Sequence, residues 1–323
     1  MEIIPTINTT LTGDILGEAV ENLLSKNVDY LRFNLSKYGD LTKLLNRTYE
    51  ITDLMKKYPI RVMLDLPYPY KKSRIFINGF SPIIINAGET ITISRKSTDR
   101  IYTDAPFCSD LSIGDSICYS DGQNIWEVMD LNEENVVVKV NDKCILHATK
   151  SINYGKPVRN KNVGEMYIDI INDISPNSIV LSFVNSVDDI TEFVPGIRSD
   201  IEVISKVETY ESVVNVNEIA QSSNIMIGRG DLRLYADYHL MYYFQEYAAA
   251  SAKTAGKKLY VATGILPSLE NNEIPTPAEI VDISKIVEYK STGIILNGIK
   301  NIERVKNIIS ALMDFEGNLL SVV

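Results

Sequence analysis

The sequence predicts an α/β fold, a (β/α)8 barrel with a small all-β lid domain inserted after the third strand. Short, continuously apolar segments alternate with amphipathic helical segments, which is the pattern of a parallel sheet covered by helices. Eight such units can be counted once a block of roughly 80 residues is set aside, because that block carries β-type patterns without a convincing helix.

The first part of the chain alternates regularly between strand and helix. The predicted elements are strand Glu2–Thr6, helix Asp14–Lys26, strand Tyr30–Ser36, helix Leu41–Lys57 and strand Arg61–Leu66. Alternation along the second strand places Arg32, Asn34 and Ser36 on one face. Three polar side chains on one strand face indicate that this face has polar surroundings.

The regular alternation stops after Asp65. Prolines punctuate the segment Pro67–Lys72, which we interpret as a link, and short β-type segments separated by turn signals follow it. The helix and strand pattern resumes before Glu165. We therefore expect residues 1–70 and 154–323 to form the barrel and residues 71–153 to form the lid domain.

The last part of the chain completes the barrel. Predicted strands are Asn177–Phe183, Ile201–Glu208, Asn224–Asp231, Lys258–Ala262 and Gly293–Leu296. Predicted helices are Glu165–Ile174, Asp188–Val194, Ser212–Gln221, Tyr238–Ala255, Pro277–Glu288 and Ile302–Met313.

Composition excludes several classes of function. With 32 basic and 42 acidic residues, the formal charge of −10 disfavours binding to nucleic acid. The sequence has no signal-peptide pattern and no apolar run near the about 18 residues that a membrane span needs, so we expect a cytoplasmic protein that does not bind membranes. Three cysteines without metal-ligand spacing and only two histidines argue against a zinc site.

A charged motif ends two neighbouring predicted strands. Lys206 and Glu208 are two residues apart and point to one side of an extended chain, and Asp231 closes the next strand. Two carboxylates about 4 Å apart repel by about 4 kcal/mol at an effective dielectric constant of 20. A divalent cation offsets that repulsion, and Mg²⁺ is commonly held by one or two carboxylates. The alternative is a structural network of ion pairs.

Polar residues gather at the carboxyl ends of the predicted strands, where (β/α)8 barrels carry their active sites. They are Arg32, Asn34, Ser36, Asp65, Ser182, Lys206, Glu208, Asp231 and Thr263. Structural ion pairs are not expected to concentrate at one end of a barrel. The concentration of polar residues there therefore favours a functional site over a structural network of ion pairs.

Several motifs occur in the order known from one enzyme family. They are Leu31-Arg-Phe-Asn-Leu-Ser36, Val62-Met-Leu-Asp65, Leu181-Ser-Phe-Val-Asn-Ser186, Ile204-Ser-Lys-Val-Glu208 and Ile225-Met-Ile-Gly-Arg-Gly-Asp-Leu232. In these motifs the chain resembles the pyruvate kinase family over nearly its whole length. The resemblance implies metal-dependent phosphoryl transfer between phosphoenolpyruvate or pyruvate and a nucleotide, ADP or ATP, or another acceptor.

The resemblance also implies a role for each matching residue. Glu208 and Asp231 match the ligands of Mg²⁺ or Mn²⁺. The catalytic residues would be Lys206, which contacts the transferring phosphoryl group, Thr263, whose hydroxyl is linked to protonation of the enolate, and Arg32, the phosphate clamp. A monovalent cation, K⁺, would be bound by Asn34, Ser36 and Asp65. The substrate would be bound by Ser182, Gly230 and Arg229, and the nucleotide, with less support, by Lys37, Lys72 and Arg74.

The chain departs from the family pattern mainly on the nucleotide side. Lys37-Tyr38 replaces a His-Gly pair, Gly264 replaces a glutamine, and Tyr70 stands where the family has Glu or Lys. We also expect the family's C-terminal regulatory domain to be absent. The departures leave two alternatives open, namely an enzyme that acts on the pyruvate enolate as a decarboxylase or lyase, and a non-catalytic relative. A homo-oligomer is possible.

Overall fold

The chain forms two compact units. The computed structural model describes residues 1–38, 41–103, 111–120, 122–148, 150–154, 157–160, 163–271, 273–299 and 301–320. One unit consists of Met1–Pro69 and Lys161–Val323, and the other of Tyr70–Asn160. The first is an α/β barrel, and the regular elements in the described residues of the second are β-strands, so the predicted fold class is confirmed.

The first five elements follow the predicted alternation. They are β1 (Glu2–Pro5), α1 (Gly13–Ser25), β2 (Tyr30–Asn34), α2 (Leu41–Lys57) and β3 (Arg61–Lys71). The amphipathic helices turn their apolar stripes inward, and Leu16, Val20 and Leu23 of α1 are buried.

The described residues of the second unit contain ten short strands. They are β4 (Ser73–Ile77), β5 (Ile83–Ile85), β6 (Thr90–Ser94), β7 (Ile101–Thr103), β8 (Ser116–Tyr119), β9 (Asn124–Leu131), β10 (Asn135–Val140), β11 (Cys144–Leu146), β12 (Ser151–Asn153) and β13 (Val158–Arg159). Seven of them close into a small barrel, and β5 pairs with β11. Its core holds Trp126, which stacks on Tyr119. The β-type segments predicted for this block are Pro82–Ile85, Thr90–Ser94, Ser116–Tyr119, Asn124–Val128, Asn135–Val140 and Cys144–His147. Sequence periodicity therefore missed β4, β7, β12 and β13, because strands this short show little alternation.

The remaining elements return to the first unit. They are α3 (Gly164–Ile174), β14 (Ser178–Ser182), α4 (Asp188–Thr191), β15 (Glu202–Val207), α5 (Tyr210–Val214), α6 (Val216–Ser222), β16 (Asn224–Gly228), α7 (Arg229–Tyr235), α8 (Met241–Thr254), β17 (Leu259–Ala262), α9 (Pro277–Glu288), β18 (Gly293–Leu296) and α10 (Ile302–Leu320). None of the helices in the described part of the chain is long and apolar enough to span a membrane.

Eight parallel strands form the large barrel, in the order β1, β18, β17, β16, β15, β14, β3 and β2. A bridge between Thr6 and Arg32 joins the first strand to the last. The barrel interior is filled by a separate apolar cluster that includes Ile4, Met63 and Met226. Because all eight strands run in one direction, their carboxyl ends meet at one rim.

Two predicted strand ends were wrong. β2 ends at Asn34, and Ser36 lies in a 3-10 turn, because the Asn34 side chain accepts hydrogen bonds from the backbone N–H and the hydroxyl of Ser36. β3 does not stop at Leu66 but runs through Pro67 and Pro69 to Lys71. Proline is compatible with an extended backbone and lacks only the N–H donor.

Two predicted helical features also differ. The helix expected over Ser212–Gln221 is divided into α5 and α6 at Asn215. β16 ends at Gly228, so Asp231 does not close a strand but lies in the first turn of α7. Sequence periodicity cannot reveal a helix of seven residues that follows a strand directly.

Candidate active site

Lys206 lies at the centre of the charged rim. Its ammonium nitrogen is 3.1 Å from Oδ1 of Asp65 and 3.2 Å from Oε1 of Glu208. Burial by itself lowers the pKa of Lys206, but the negative charges of Asp65 and Glu208 outweigh burial and hold this pKa above its ordinary value. Lys206 is therefore a stable cation at neutral pH. Sequence reasoning did not identify Asp65 as a partner of Lys206.

Asp65 is bound by a second cation, Arg32. The Arg32 guanidinium donates through Nε and Nη2 to Oδ2 of Asp65, and its Nη1 donates to Thr6. Ser182 lies beside them, with its hydroxyl 2.6 Å from the Leu66 carbonyl and 3.4 Å from Oδ1 of Asp65. Burial raises the pKa of Asp65, but the charges of Lys206 and Arg32 lower it below the ordinary value. Asp65 is therefore a carboxylate.

Glu208 is held in a narrow slot. Its Oε2 accepts a hydrogen bond of 2.9 Å from the backbone N–H of Phe183, a residue in the left-handed conformation. On the other side, a Cβ at Gly228 would lie 2.5 Å from Cγ and 2.7 Å from Oε1 of Glu208. Only glycine leaves room for the carboxylate there. Sequence reasoning missed both neighbours, although a glycine at a strand end is a signal for close approach.

Asp231 completes the group that we call the rim cluster, namely Arg32, Asp65, Lys206, Glu208 and Asp231. It is buried, and its charge raises the pKa of Lys206 further. The rim cluster therefore gathers two basic and three acidic side chains, and a buried charge is costly unless an opposite charge balances it.

The chemistry of these carboxylates suits a divalent cation. Asp65 is bound by both cations of the rim cluster, so its other two acids, Glu208 and Asp231, are the better candidates for metal ligands. In the described ranges no group of three His, Cys, Asp or Glu residues could hold a metal ion. A two-carboxylate site still fits Mg²⁺, which takes its other ligands from water and substrate oxygens.

Thr263 stands at the rim in a strained conformation. Its φ angle of +75° lies in the region that favours glycine, and for a β-branched residue this costs of order 1–3 kcal/mol. The backbone of Gly230 packs against it, since a Cβ at Gly230 would lie 2.9 Å from Cγ2 of Thr263. The side chain of Thr263 is exposed. Such strain is found mostly at functional sites.

Arg229, which sequence reasoning assigned to substrate binding, contacts three protein groups. Its Nε donates to the carbonyl oxygen of Thr263 at 2.9 Å, and its Nη1 lies 2.6 Å from Oδ1 of Asp282. A weaker contact of 3.4 Å reaches Gln245. The side chain is 13% exposed.

The residues predicted to bind K⁺ interact with the protein. Oδ1 of Asn34 accepts both hydrogen bonds from Ser36. Asp65 already faces Lys206 and Arg32, so a monovalent cation there would meet like charge. The predicted nucleotide residues are divided between the units, with Lys37 in the first and both Lys72 and Arg74 in the second.

Fold and site together define a class, the (β/α)8 barrels with a buried charged site at the carboxyl ends of their strands. Residues 2–300 match the sequence profile described as pyruvate kinase, barrel domain. The chain belongs to the pyruvate kinase family, as the resemblance of its motifs predicted.

Known relatives agree with this assignment. The chain is 28% identical to the pyruvate kinase of Thermotoga maritima over 289 residues, which are 84% of this chain and 60% of that protein. It is 28% identical to the pyruvate kinase of Eimeria tenella over 297 residues, 85% of this chain and 55% of that protein. The chain thus spans about three fifths of the length of these relatives.

Solved structures of the family have the same fold. Cryptosporidium parvum pyruvate kinase superimposes with a TM-score of 0.79 at 25% identity, over 97% of this chain and 69% of that chain. Its structure in complex with ADP gives a TM-score of 0.78 at 25% identity, over 97% of this chain and 67% of that chain.

Proposed function

We propose that this protein catalyses phosphoryl transfer between phosphoenolpyruvate and ADP in a reaction that depends on Mg²⁺ or Mn²⁺. The observation that carries the proposal is the rim cluster, which places a buried lysine cation beside carboxylates at the carboxyl ends of the barrel strands. Membership of the pyruvate kinase family and the ADP complex of a relative support the choice of substrates.

The cations of the rim cluster act on the phosphoryl group. Phosphoryl transfer requires positioning and neutralisation of the charge on the equatorial oxygens. Lys206 would contact the transferring group, because its raised pKa keeps it charged. Arg32 would hold the phosphate through the N–H bonds that Asp65 and Thr6 leave available. A divalent cation held by Glu208 and Asp231 would neutralise further negative charge.

Two other groups would serve the enolpyruvate part of the substrate. The backbone N–H groups of Gly230 and Asp231, in the first turn of α7, would bind the substrate carboxylate. The exposed hydroxyl of Thr263 would deliver the proton to the methylene carbon when the enolate becomes pyruvate.

The test is turnover of the purified protein. With Mg²⁺, phosphoenolpyruvate and ADP we expect pyruvate and ATP in equal amounts, and Lys206→Met should lower kcat by about 1,000-fold or more. Replacing K⁺ by a large organic cation tests the prediction that Asn34, Ser36 and Asp65 bind K⁺. Failure to transfer phosphate to ADP or any other nucleotide would refute the proposal. Exchange of pyruvate methyl protons without a nucleotide would then favour the alternative enolate chemistry.

A further inference from the structure

Three residues shortly after β17 have backbone φ angles in the left-handed region. Thr263 has φ +75°, Gly264 has φ +71° and Leu266 has φ +47°. Glycine tolerates the left-handed region, but threonine and leucine do not favour it. A strained segment keeps its conformation only when neighbouring groups hold it there.

One side chain holds the strained segment by its backbone. Nε of Arg229 donates to the carbonyl oxygen of Thr263 at 2.9 Å. The guanidinium is itself anchored on α9, where Oδ1 of Asp282 lies 2.6 Å from its Nη1. Because a guanidinium is planar and rigid, fixing one nitrogen fixes the direction in which another donates.

We call the contacts of Arg229 with Asp282 and with the Thr263 carbonyl oxygen the brace. The brace also connects Thr263 to the rim cluster. Arg229, Gly230 and Asp231 are consecutive residues in the first turn of α7. Gly230 packs against the methyl group of Thr263, while Arg229 holds its carbonyl oxygen. The turn that carries Asp231 therefore also sets the position of Thr263.

We infer that Arg229, oriented by Asp282, is a positioning residue that fixes the hydroxyl of Thr263 relative to Asp231. The inference rests on the proposed function, in which this hydroxyl delivers a proton to the enolate. Arg229 acts through the backbone of Thr263, so it should affect the rate of the reaction more than the binding of phosphoenolpyruvate.

The kinetic test compares two variants of the brace with a control on the same helix. Arg229→Met and Asp282→Asn should lower kcat by roughly 10- to 100-fold, the range expected for misplacement of a reacting group, with KM for phosphoenolpyruvate within about twofold of wild type. Exchange of pyruvate methyl protons should fall in parallel. Glu288→Gln removes an exposed ion pair with Lys285 on α9 and should change neither quantity.

Conservative replacement separates positioning from a general loss of structure. Arg229→Lys keeps the charge and one donor, so it should recover part of the kcat lost in Arg229→Met. The positioning role would be overturned if Arg229→Met and Asp282→Asn raised KM rather than lowered kcat. It would also be overturned if Glu288→Gln lowered kcat as much as they do.

Hydrogen exchange tests the brace without any activity. Peptides that cover residues 259–266 should exchange about tenfold faster in Arg229→Met and Asp282→Asn than in wild type, whereas peptides over 202–208 should not change. Unchanged exchange at 259–266 would overturn the inference. If the wild type lacks turnover but exchange responds as expected, the proposed function fails and the brace stands.

Discussion

The two ends of the large barrel carry charged clusters with equal numbers of basic and acidic side chains in different surroundings. The rim cluster at the carboxyl ends contains two cations and three carboxylates. The amino ends carry a base cluster that also has two cations and three carboxylates and consists of Glu2, Asp29, Arg61, Glu202 and Lys258.

The base cluster is open to solvent. Arg61 donates to both oxygens of Asp29 at 3.0 Å and to Glu2 at 2.6 Å, and Lys258 lies 2.6 Å from Glu202. These side chains are between 19 and 53% exposed. Water therefore screens their charges, and each pair contributes little to stability.

The rim cluster is closed to solvent. The side chains in its ion pairs are only 1 to 11% exposed, although the ion-pair distances resemble those of the base cluster. Burial makes every uncompensated charge costly and every electrostatic interaction stronger. The difference teaches that burial, and not the count of charges, separates a candidate catalytic site from a solvated set of ion pairs.

The largest expected effect comes from removing one lysine at each end. Lys206→Met leaves buried carboxylates without their cation and should lower the free energy of unfolding by about 3–5 kcal/mol. Lys258→Met removes an exposed cation and should cost at most about 1 kcal/mol. Urea unfolding at pH 7 measures both. Equal losses would break the distinction between the two ends.

A divalent metal should stabilise the protein through the rim cluster alone. Mg²⁺ or Mn²⁺ at 100 times its Kd should add about 2.7 kcal/mol to the stability of the wild type, and a chelator should reverse the gain. Glu208→Gln should abolish this rise in Tm, whereas Glu202→Gln in the base cluster should retain it. A rise that survives Glu208→Gln would place the metal elsewhere.

Filling the space beside Glu208 should lower stability less than the changes above, and it should also lower activity. Gly228→Ala should cost about 1–3 kcal/mol of stability because its Cβ would overlap Glu208. Gly196→Ala is the matched control, since its Cβ would lie 2.5 Å from the side chain of Ile168, outside the rim cluster. Only Gly228→Ala should lower kcat, by roughly 100-fold. Similar activities of the two variants would contradict the proposed role of Glu208.

The smallest effect is expected from Asp29 in the base cluster. The hydrogen bond and charge of Arg61 lower the pKa of Asp29 below its ordinary value, despite the opposing effect of burial. A lowered folded-state pKa contributes stability above the unfolded pKa of about 3.9, and this contribution disappears as pH falls. Because Asp29 is half exposed, Asp29→Asn should cost less than about 1 kcal/mol at pH 7 and less still at pH 3. If the stability lost in Asp29→Asn were larger at pH 3 than at pH 7, the lowered pKa of Asp29 would be contradicted.

Part of the site follows from local periodicity. Lys206 and Glu208 lie two residues apart at the end of β15, so an extended chain directs both to one side, and the structure brings them within 3.2 Å. The pairing of Lys206 with Asp65 does not follow in this way. β14 lies between β3 and β15, and only closure of the barrel brings their side chains together.

The environment of Arg229 was equally inaccessible to sequence reasoning. The resemblance implied only that Arg229 binds substrate, and it did not reveal the contacts of Arg229 with Asp282 on α9 and with the carbonyl oxygen of Thr263. The direction of a long side chain depends on partners that lie far away in sequence. The positive φ of Thr263 is a further example, because a β-branched residue gives no local sign of that conformation.

The order of apolar strands and amphipathic helices by itself determined the barrel, the inserted β unit and the family, because local periodicity and motif order are properties of the chain alone. Tertiary structure decided which charges are buried, and it thereby distinguished the rim cluster from the base cluster. The physical reason is that solvent exposure depends on residues packed from many parts of the chain, and the strength of an ion pair depends on that exposure.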